Sequence, residues 1–562
     1  MIRTFLQATC SRFDKRRGGG PRLLRLSLLS TVLLMAPFVG AQAADIPTGN
    51  SGLTASWDNT VQYTLGMRTG GQDPQVSGIQ NQNDGDLNFK PGHLMENRVD
   101  LLSELNIAKG DAGFRGSFDA WYDFVYNQHN DNSSASTFNG FGSHNAFASS
   151  TRDLDGRGVR LLDAFIYNKW NVGSVPVTVR LGRLTELWGE SLFMADNGIA
   201  YGQAPINADK AASVPNTQAK ELFLPTGQLA VDAQLNEKFS ISAYYQFEWE
   251  RAILPGVGSY FSGSDTLDEG GQRVLVGANP IPNRPALALF RGRDQYANGG
   301  QFGGAVHFNP NDDWDFGFYA LRYNDKEPQI YSSAQAPNLA TGQVGSYRLV
   351  YPKHIELYGV SGSTTYGPVN YAGEVSVRRN EPLTSTQLTV APGQTANNNN
   401  NPLYAVGDSL HYQMSAVYAG PATMFWQGSQ LAMEMGGSHL LDITKNAAVF
   451  DHSRERTTLG FHGVFTPSYF QVFPGVDMTV PIGLSYNFMG NSSTTQQFNG
   501  SGINHGGTLT LGVSAVYHNT WTAGLNFTQF FGHPDDGLVG APTVPAVITD
   551  RDFVTLTVQH TF

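Results

Sequence analysis

The chain has 562 residues, 40% hydrophobic and 15% charged, with 36 Lys and Arg against 47 Asp and Glu and a single cysteine, Cys10. The acidic balance argues against nucleic acid or an anionic surface as partner. One cysteine excludes a disulfide framework and a thiolate metal site.

Residues 1–43 have the form of a secretory signal peptide. Arg3, Arg12, Lys15, Arg16, Arg17, Arg22 and Arg25 make a long basic n-region. The apolar stretch from Leu26 to Val39 is too short for a comfortable spanning helix. Ala41-Gln42-Ala43 supplies a small-residue cleavage pattern, which predicts a mature start near Ala44. Gly18-Gly19-Gly20-Pro21 after Arg16-Arg17 does not suit twin-arginine export, and Cys10 precedes the apolar stretch, where lipoprotein acylation does not occur. Without residues 1–43, which hold seven Lys/Arg and Asp14, 29 basic and 46 acidic residues remain, a formal charge of −17. No later stretch approaches a spanning helix in length. Such a chain crosses a membrane only if alternate residues face lipid.

Alternation begins at once. Leu53, Ala55, Trp57, Val61, Tyr63, Leu65 and Met67 share one face, with Thr54, Ser56, Asp58, Thr60, Gln62 and Thr64 opposite. Val99, Leu101, Leu105 and Ile107 follow, then a Lys109-Gly110-Asp111 turn and the run Phe114, Phe118, Ala120, Tyr122, Phe124, Tyr126. Further short turns are predicted at Asn171-Val172-Gly173, Asn236-Glu237, Asn309 to Asp312, Tyr366-Gly367-Pro368, Ala419-Gly420-Pro421, Thr466-Pro467-Ser468 and His518-Asn519. Long polar stretches alternate with them, at about 69–95, 128–158, 187–226, 252–299, 324–351, 380–407, 437–455, 489–506 and 532–549. Phe239, Ile241, Ala243, Tyr245, Phe247 and Trp249 predict a lipid face, and Ser240, Ser242, Tyr244, Gln246, Glu248 and Glu250 a lumen face. Trp57, Trp121, Trp170, Trp249, Trp314, Trp521 and Tyr517 suit interfacial girdles.

The last strand places Val554, Leu556, Val558, His560 and Phe562 opposite Thr555, Thr557, Gln559 and Thr561. The expected fold is all-β: a transmembrane antiparallel β-barrel of about eighteen strands over residues 44–562, with short periplasmic turns and long extracellular loops. A closed sheet is required because every backbone N–H and C=O at membrane depth must be paired. A sandwich or propeller predicts no such alternation of connection lengths.

On this register Asp100, Glu104, Arg115, Asp119, Asp123, Asp163, Arg180, Glu248, Glu356, Glu374 and Arg378 project into the lumen. Eighteen strands leave a lumen too wide for side chains alone to fill, which favours a channel. Residues 187–226, with helix-tolerant pieces at 206–212 and 217–222, and residues 252–299, rich in Ile, Leu, Val and Phe, are long enough to constrict it. Packing of the second loop on its neighbours above the membrane is the competing expectation. Gly407-Asp408-Ser409-Leu410 spells a lipase nucleophile signature, but that chemistry needs an α/β scaffold, and here the tetrapeptide opens a strand. The sequence does not bring His354, His411 or His462 together, so no enzyme is expected. Asp84-Gly85-Asp86 and Asp153-Leu154-Asp155-Gly156 complete no calcium loop. No cofactor or metal is expected.

The closing strand, ending on a bare aromatic, resembles that of outer-membrane β-barrels, which implies that barrel-assembly machinery reads Phe562. Arg180-Leu181-Gly182-Arg183 with Leu187-Trp188-Gly189-Glu190-Ser191, Tyr244 to Trp249, Gly258 to Ser262, and Pro474-Gly475-Val476-Asp477 resemble a proteobacterial outer-membrane family of unknown function. Members are often encoded beside a periplasmic lipoprotein-sorting-like protein and an efflux-type inner-membrane transporter. The resemblance implies traffic of a hydrophobic or aromatic small molecule across a Gram-negative outer membrane and assigns no binding residue. The expectation is therefore a channel or facilitator for passive passage of such a solute, in contact with outer-membrane lipid. The alternative is the barrel component of a trans-envelope export system, served by a periplasmic lipid-carrier-like protein docking near Pro474.

Overall fold

Alternating side chains give each segment two unlike faces, and eighteen such segments pair edge to edge into one closed ring. A computed structural model describes residues 44–562 apart from 47, 50, 51, 216, 387, 495–502 and 535–547; the predicted signal peptide lies outside the described residues. The barrel strands are β1 (Leu53–Arg68), β2 (Leu94–Lys109), β3 (Ala112–Asp123), β4 (Arg157–Val172), β5 (Val175–Leu184) and β6 (Thr226–Gln234). Next come β7 (Phe239–Gln246), β8 (Gln301–Phe308), β9 (Trp314–Tyr323), β10 (Ile355–Tyr366), β11 (Val369–Pro382) and β12 (Val406–Gly420). The last are β13 (Gly428–Lys445), β14 (Thr457–Phe473), β15 (Ile482–Met489), β16 (Gly507–Tyr517), β17 (Trp521–Phe531) and β18 (Phe553–Thr561). All neighbours are antiparallel, and the ring closes where β1 meets β18, from Thr60 opposite Thr561 to Arg68 opposite Phe553. Phe562 extends the seam: its N–H and C=O both bond to the backbone of Asn59 at 2.9 Å.

The outer wall is apolar. Leu229, Tyr245 and Phe302 lie side by side on it, as do Phe318 and Val360, all exposed. Thr64, Gln228, Ser409 and Thr555, each fully buried, belong to the opposite face. Trp57, Trp170, Trp314, Trp521 and Tyr517 are exposed near the short-turn end, where a girdle is expected. Trp121 and Trp249 depart from that expectation. Trp121 points inward, its indole N–H donating to the Leu154 carbonyl at 2.8 Å beneath Arg98 and Arg160. Trp249 lies beyond the end of β7 in an outer-loop cluster against Tyr351.

Two predicted boundaries move. Thr466-Pro467-Ser468 is not a turn: β14 runs through it to Phe473, and Pro474-Gly475 turns the chain, with Gly475 at φ 77°. Pro467 reads as a breaker but sits just before the ladder becomes irregular, between Tyr469 and Phe473, where a missing N–H is tolerated. Residues 437–445, read as loop, continue β13. Gly436 and Gly437 belong to a strand because a Cβ at Gly436 would meet Met194 Sδ at 2.8 Å, so glycine admits a segment packed against the wall.

The loop at 252–299 divides. Its first part packs Tyr260 and Phe261 against Phe89, Met95 and Phe553 at the mouth of the β1–β18 seam. Its second part forms Arg273–Gly277 and Leu287–Arg291, which join Gln343–Val350, Gln329–Asn338 and Leu388–Thr389 in a five-stranded sheet of loop segments. Both parts therefore pack on neighbouring segments, the competing expectation for this loop.

Candidate functional site

The polar inner faces of β11 and β13 present two carboxylates to a segment that has few backbone bonds of its own. Residues 185–225 leave β5 and turn into the barrel. Glu374 on β11 accepts N–H groups from Glu190 at 2.5 Å and Ile199 at 2.8 Å. Glu434 on β13 accepts from three consecutive residues: Leu192 at 2.9 Å, Phe193 at 2.6 Å and Met194 at 2.7 Å. Charged acceptors of this kind are the stronger class of hydrogen bond. Arg378 donates to the carbonyls of Asp196 at 2.9 Å and Gly198 at 3.0 Å. Gly189, at φ 96°, leaves space that the Glu374 carboxylate occupies. Trp188 wedges beside Tyr244 and Tyr319, and Phe193 stacks on His462 with ring centroids 4.1 Å apart.

The segment then crosses to the far wall. Buried Lys210 meets Glu221 at 2.5 Å, Asp119 at 3.4 Å and Asp100 at 3.5 Å, and Lys220 pairs with Glu104. Gln62 on β1 donates to the Pro215 carbonyl at 3.1 Å. Contacts to β1, β2, β3, β9, β11, β12, β13 and β14 make residues 185–225 an internal constriction. Removing the Lys210 ammonium leaves buried carboxylates uncompensated, at a cost of about 3–5 kcal/mol. Lys210→Ala is expected to release the segment 208–222 to limited proteolysis in detergent micelles at temperatures where the parent resists; equal resistance would contradict the anchor.

Between the constriction and the short turns lies a cavity of about 1170 Å³. Phe165, Leu184, Leu187, Trp188 and Phe223 line its inner end, and the turns at Asn236–Lys238 and Asn309–Asp313 form its mouth. On its wall Arg180 pairs with Glu186 at 2.8 Å and with Asp232, while Arg115 bridges Glu104 at 2.7 Å and Asp163 at 2.9 Å. Burial pushes the Glu186 carboxyl up to about 7, although Arg180 opposes the rise. Burial, then Asp315 and Glu374, push Glu190 up to about 8. A raised folded value contributes stability at low pH that is lost as pH rises through it. Loop anchoring at Glu190 is therefore expected to weaken between about pH 5 and 8. Limited proteolysis of residues 185–199 should quicken across that range, and the change should be absent in Glu190→Gln.

Asp100, Glu104, Arg115, Asp119, Asp123, Asp163, Arg180, Glu374 and Arg378 face the lumen. Glu248 and Glu356 do not. Glu248 follows a bulge in which the N–H groups of Phe247 and Glu248 share the Gly227 carbonyl, which carries it to the outer wall against Arg183 at 2.7 Å. Glu356 is outward because Ile355 and Leu357, both fully buried, take the inner face of β10; its cross-strand partners are Arg322 and Arg379. Glu434, Asn197 and Lys210 were not singled out from the sequence, and Trp188 entered only within the segment Leu187 to Ser191 that carries the family resemblance. Glu434 alone had a legible signal, being an acid between outward Met433 and Met435.

Ser409 and His411, two apart on one strand face, do meet: Ser409 Oγ lies 2.9 Å from His411 Nε2 and also donates to Glu381. The Asn197 amide donates to the Tyr412 and Gly437 carbonyls, so its oxygen accepts from His411 Nδ1 at 2.8 Å. This Ser–His–Asn arrangement resembles a nucleophile relay, yet Ser409 is fully buried and no residue of the group lines the cavity. Its contacts fasten the constriction to β12. Asp84 and Asp86 are also absorbed structurally: Asp84 accepts the Asn139 N–H at 3.0 Å and Asp86 pairs with Arg68 at 2.7 Å. Among the described residues no three His, Cys, Asp or Glu side chains converge as metal ligands.

A closed ring with an apolar outer belt, a polar interior and short turns at one end defines a transmembrane β-barrel of the outer-membrane type. The chain belongs to the family described as protein of unknown function DUF1302, whose profile matches residues 24–562. No curated protein matches it in sequence. Among solved structures it is similar to OccAB2 of Acinetobacter baumannii, at 9% identity over 90% of this chain and 98% of that one, with a TM-score of 0.41. The outer membrane channel DcaP of Acinetobacter baumannii matches at 10% identity over 91% and 98%, TM-score 0.37. OpdK of Pseudomonas aeruginosa, crystallised with vanillate, matches at 8% over 90% and 98%, TM-score 0.38.

Proposed function

We propose that the protein is an outer-membrane channel or facilitator for passive passage of a small apolar or aromatic solute. The observation that carries this reading is the cavity of about 1170 Å³ between the constriction and the short turns, walled at its inner end by Phe165, Leu184, Trp188 and Phe223. Burying about 200 Å² of apolar solute there is worth about 5 kcal/mol. Lost translational freedom offsets most of that gain. The solute is therefore held weakly, as passage requires. Displacement of residues 185–225 completes the path. On this reading the belt contacts outer-membrane lipid and Phe562 serves the assembly machinery. Purified protein in planar bilayers is expected to give stepwise conductance; silence at all voltages would overturn the reading.

The mouth of the cavity lies among the short turns, which favours loading from the periplasm and supports a second reading. In it the barrel receives a hydrophobic cargo from a periplasmic carrier and works as one component of an export system. Export of the cargo unchanged in a deletion strain would remove it.

A further inference from the structure

The charge around the cavity is lopsided, and the lopsidedness has a pattern. Three basic side chains line the inner wall, and each is neutralised: Arg115 by Glu104 and Asp163, Arg180 by Glu186 and Asp232, and Lys220 by Glu104. Among the described residues of that inner wall, each guanidinium and ammonium has a carboxylate partner. Acids are in excess: the lining holds seven, Asp163, Glu186, Asp232, Glu237, Asp312, Asp313 and Asp315, against Arg115, Arg180, Lys220 and Lys238. Glu237, Asp312 and Asp313 sit on the two adjacent turns of the mouth. His307 lies 3.1 Å from Asp315 and does not reverse the balance. Among the uncharged lining residues, aliphatic and polar for the most part, Phe165, Trp188 and Phe223 supply aromatic rings at the inner end. Aromatic faces combined with surplus carboxylates suit an organic ammonium, through cation–π attraction and Coulomb attraction together. A low-dielectric cleft lined by one sign of charge concentrates the opposite ion.

We infer that the cavity selects cation-bearing apolar solutes, namely aromatic or aliphatic amines and quaternary ammonium compounds, and turns away carboxylates. This rests on the channel reading above and narrows its solute class. At the inner end Asp232 offsets Arg180, and Glu186 beside them adds negative charge as it ionises. The acids of the two turns set the approach from outside it.

The test has two independent arms. In planar bilayers under a potassium chloride gradient, the reversal potential should report potassium favoured over chloride by about threefold or more. The triple variant Glu237→Gln, Asp312→Asn, Asp313→Asn changes only exposed turns and should bring the ratio toward unity. Chloride preference in the parent would overturn the inference. In detergent solution, benzyltrimethylammonium should quench tryptophan fluorescence saturably and benzoate should not; Asp232→Asn should weaken the ammonium response about tenfold. Equal responses to both probes, or none to the ammonium, would overturn it. A protein that binds benzyltrimethylammonium yet conducts nothing would sink the channel reading and leave the cavity's preference standing.

Discussion

Replacing Glu434 by alanine is expected to release residues 192–194 from β13 and, on the channel reading, to raise single-channel conductance several-fold. The carboxylate is 1% exposed and accepts the N–H groups of Leu192, Phe193 and Met194, so its loss strands three donors inside the barrel. Each stranded donor costs about 1–3 kcal/mol until water reaches it. The segment 190–199 has few backbone hydrogen bonds of its own to fall back on. Hydration of the stranded donors then favours movement away from β13. Glu434→Gln is expected to fall between the two, because a side-chain amide keeps one acceptor and adds donors that face donors. Planar-bilayer recordings with limited proteolysis of the loop check this. Unchanged conductance with unchanged protection would contradict the placement of the constriction.

Leu556→Arg is expected to prevent or strongly delay barrel closure. Leu556 is 42% exposed on the lipid side of β18, between Leu65 of β1 and Leu525 of β17. A charge near the bilayer midplane on the lipid face costs about 2–4 kcal/mol. Here it falls on the seam, the pairing that abolishes the two free edges. Heat-modifiability on gels and membrane yield report the effect. Parent-like values would contradict the register, since a one-residue slip would turn Leu556 inward and expose Thr555 and Thr557 to lipid.

The wall of the barrel was legible because its signal is local. Residues Phe239 to Gln246 alternate between lipid and lumen as read, and the last strand does the same. The errors have local causes too. A bulge at Phe247–Glu248 reverses the parity that placed Glu248 inside. Glu356 was assigned inward although its neighbours Ile355 and Leu357 are the buried pair. Pro467 and the pair Gly436-Gly437 resemble loop residues unless the close approach of another segment is known.

The sequence by itself determined the strand sidedness and the alternation of short turns with long loops. A period of two and a pairing partner in the next hairpin are enough for that. Only the tertiary structure decided where residues 185–225 go. Glu434 meets the backbone of Phe193 across 241 positions of chain. Such a contact has no period to betray it, because a carboxylate that binds backbone N–H groups places no demand on the side chains it holds. The polar lumen was written in the strands; its constriction and its acidic chamber exist only once the ring has closed around the loop.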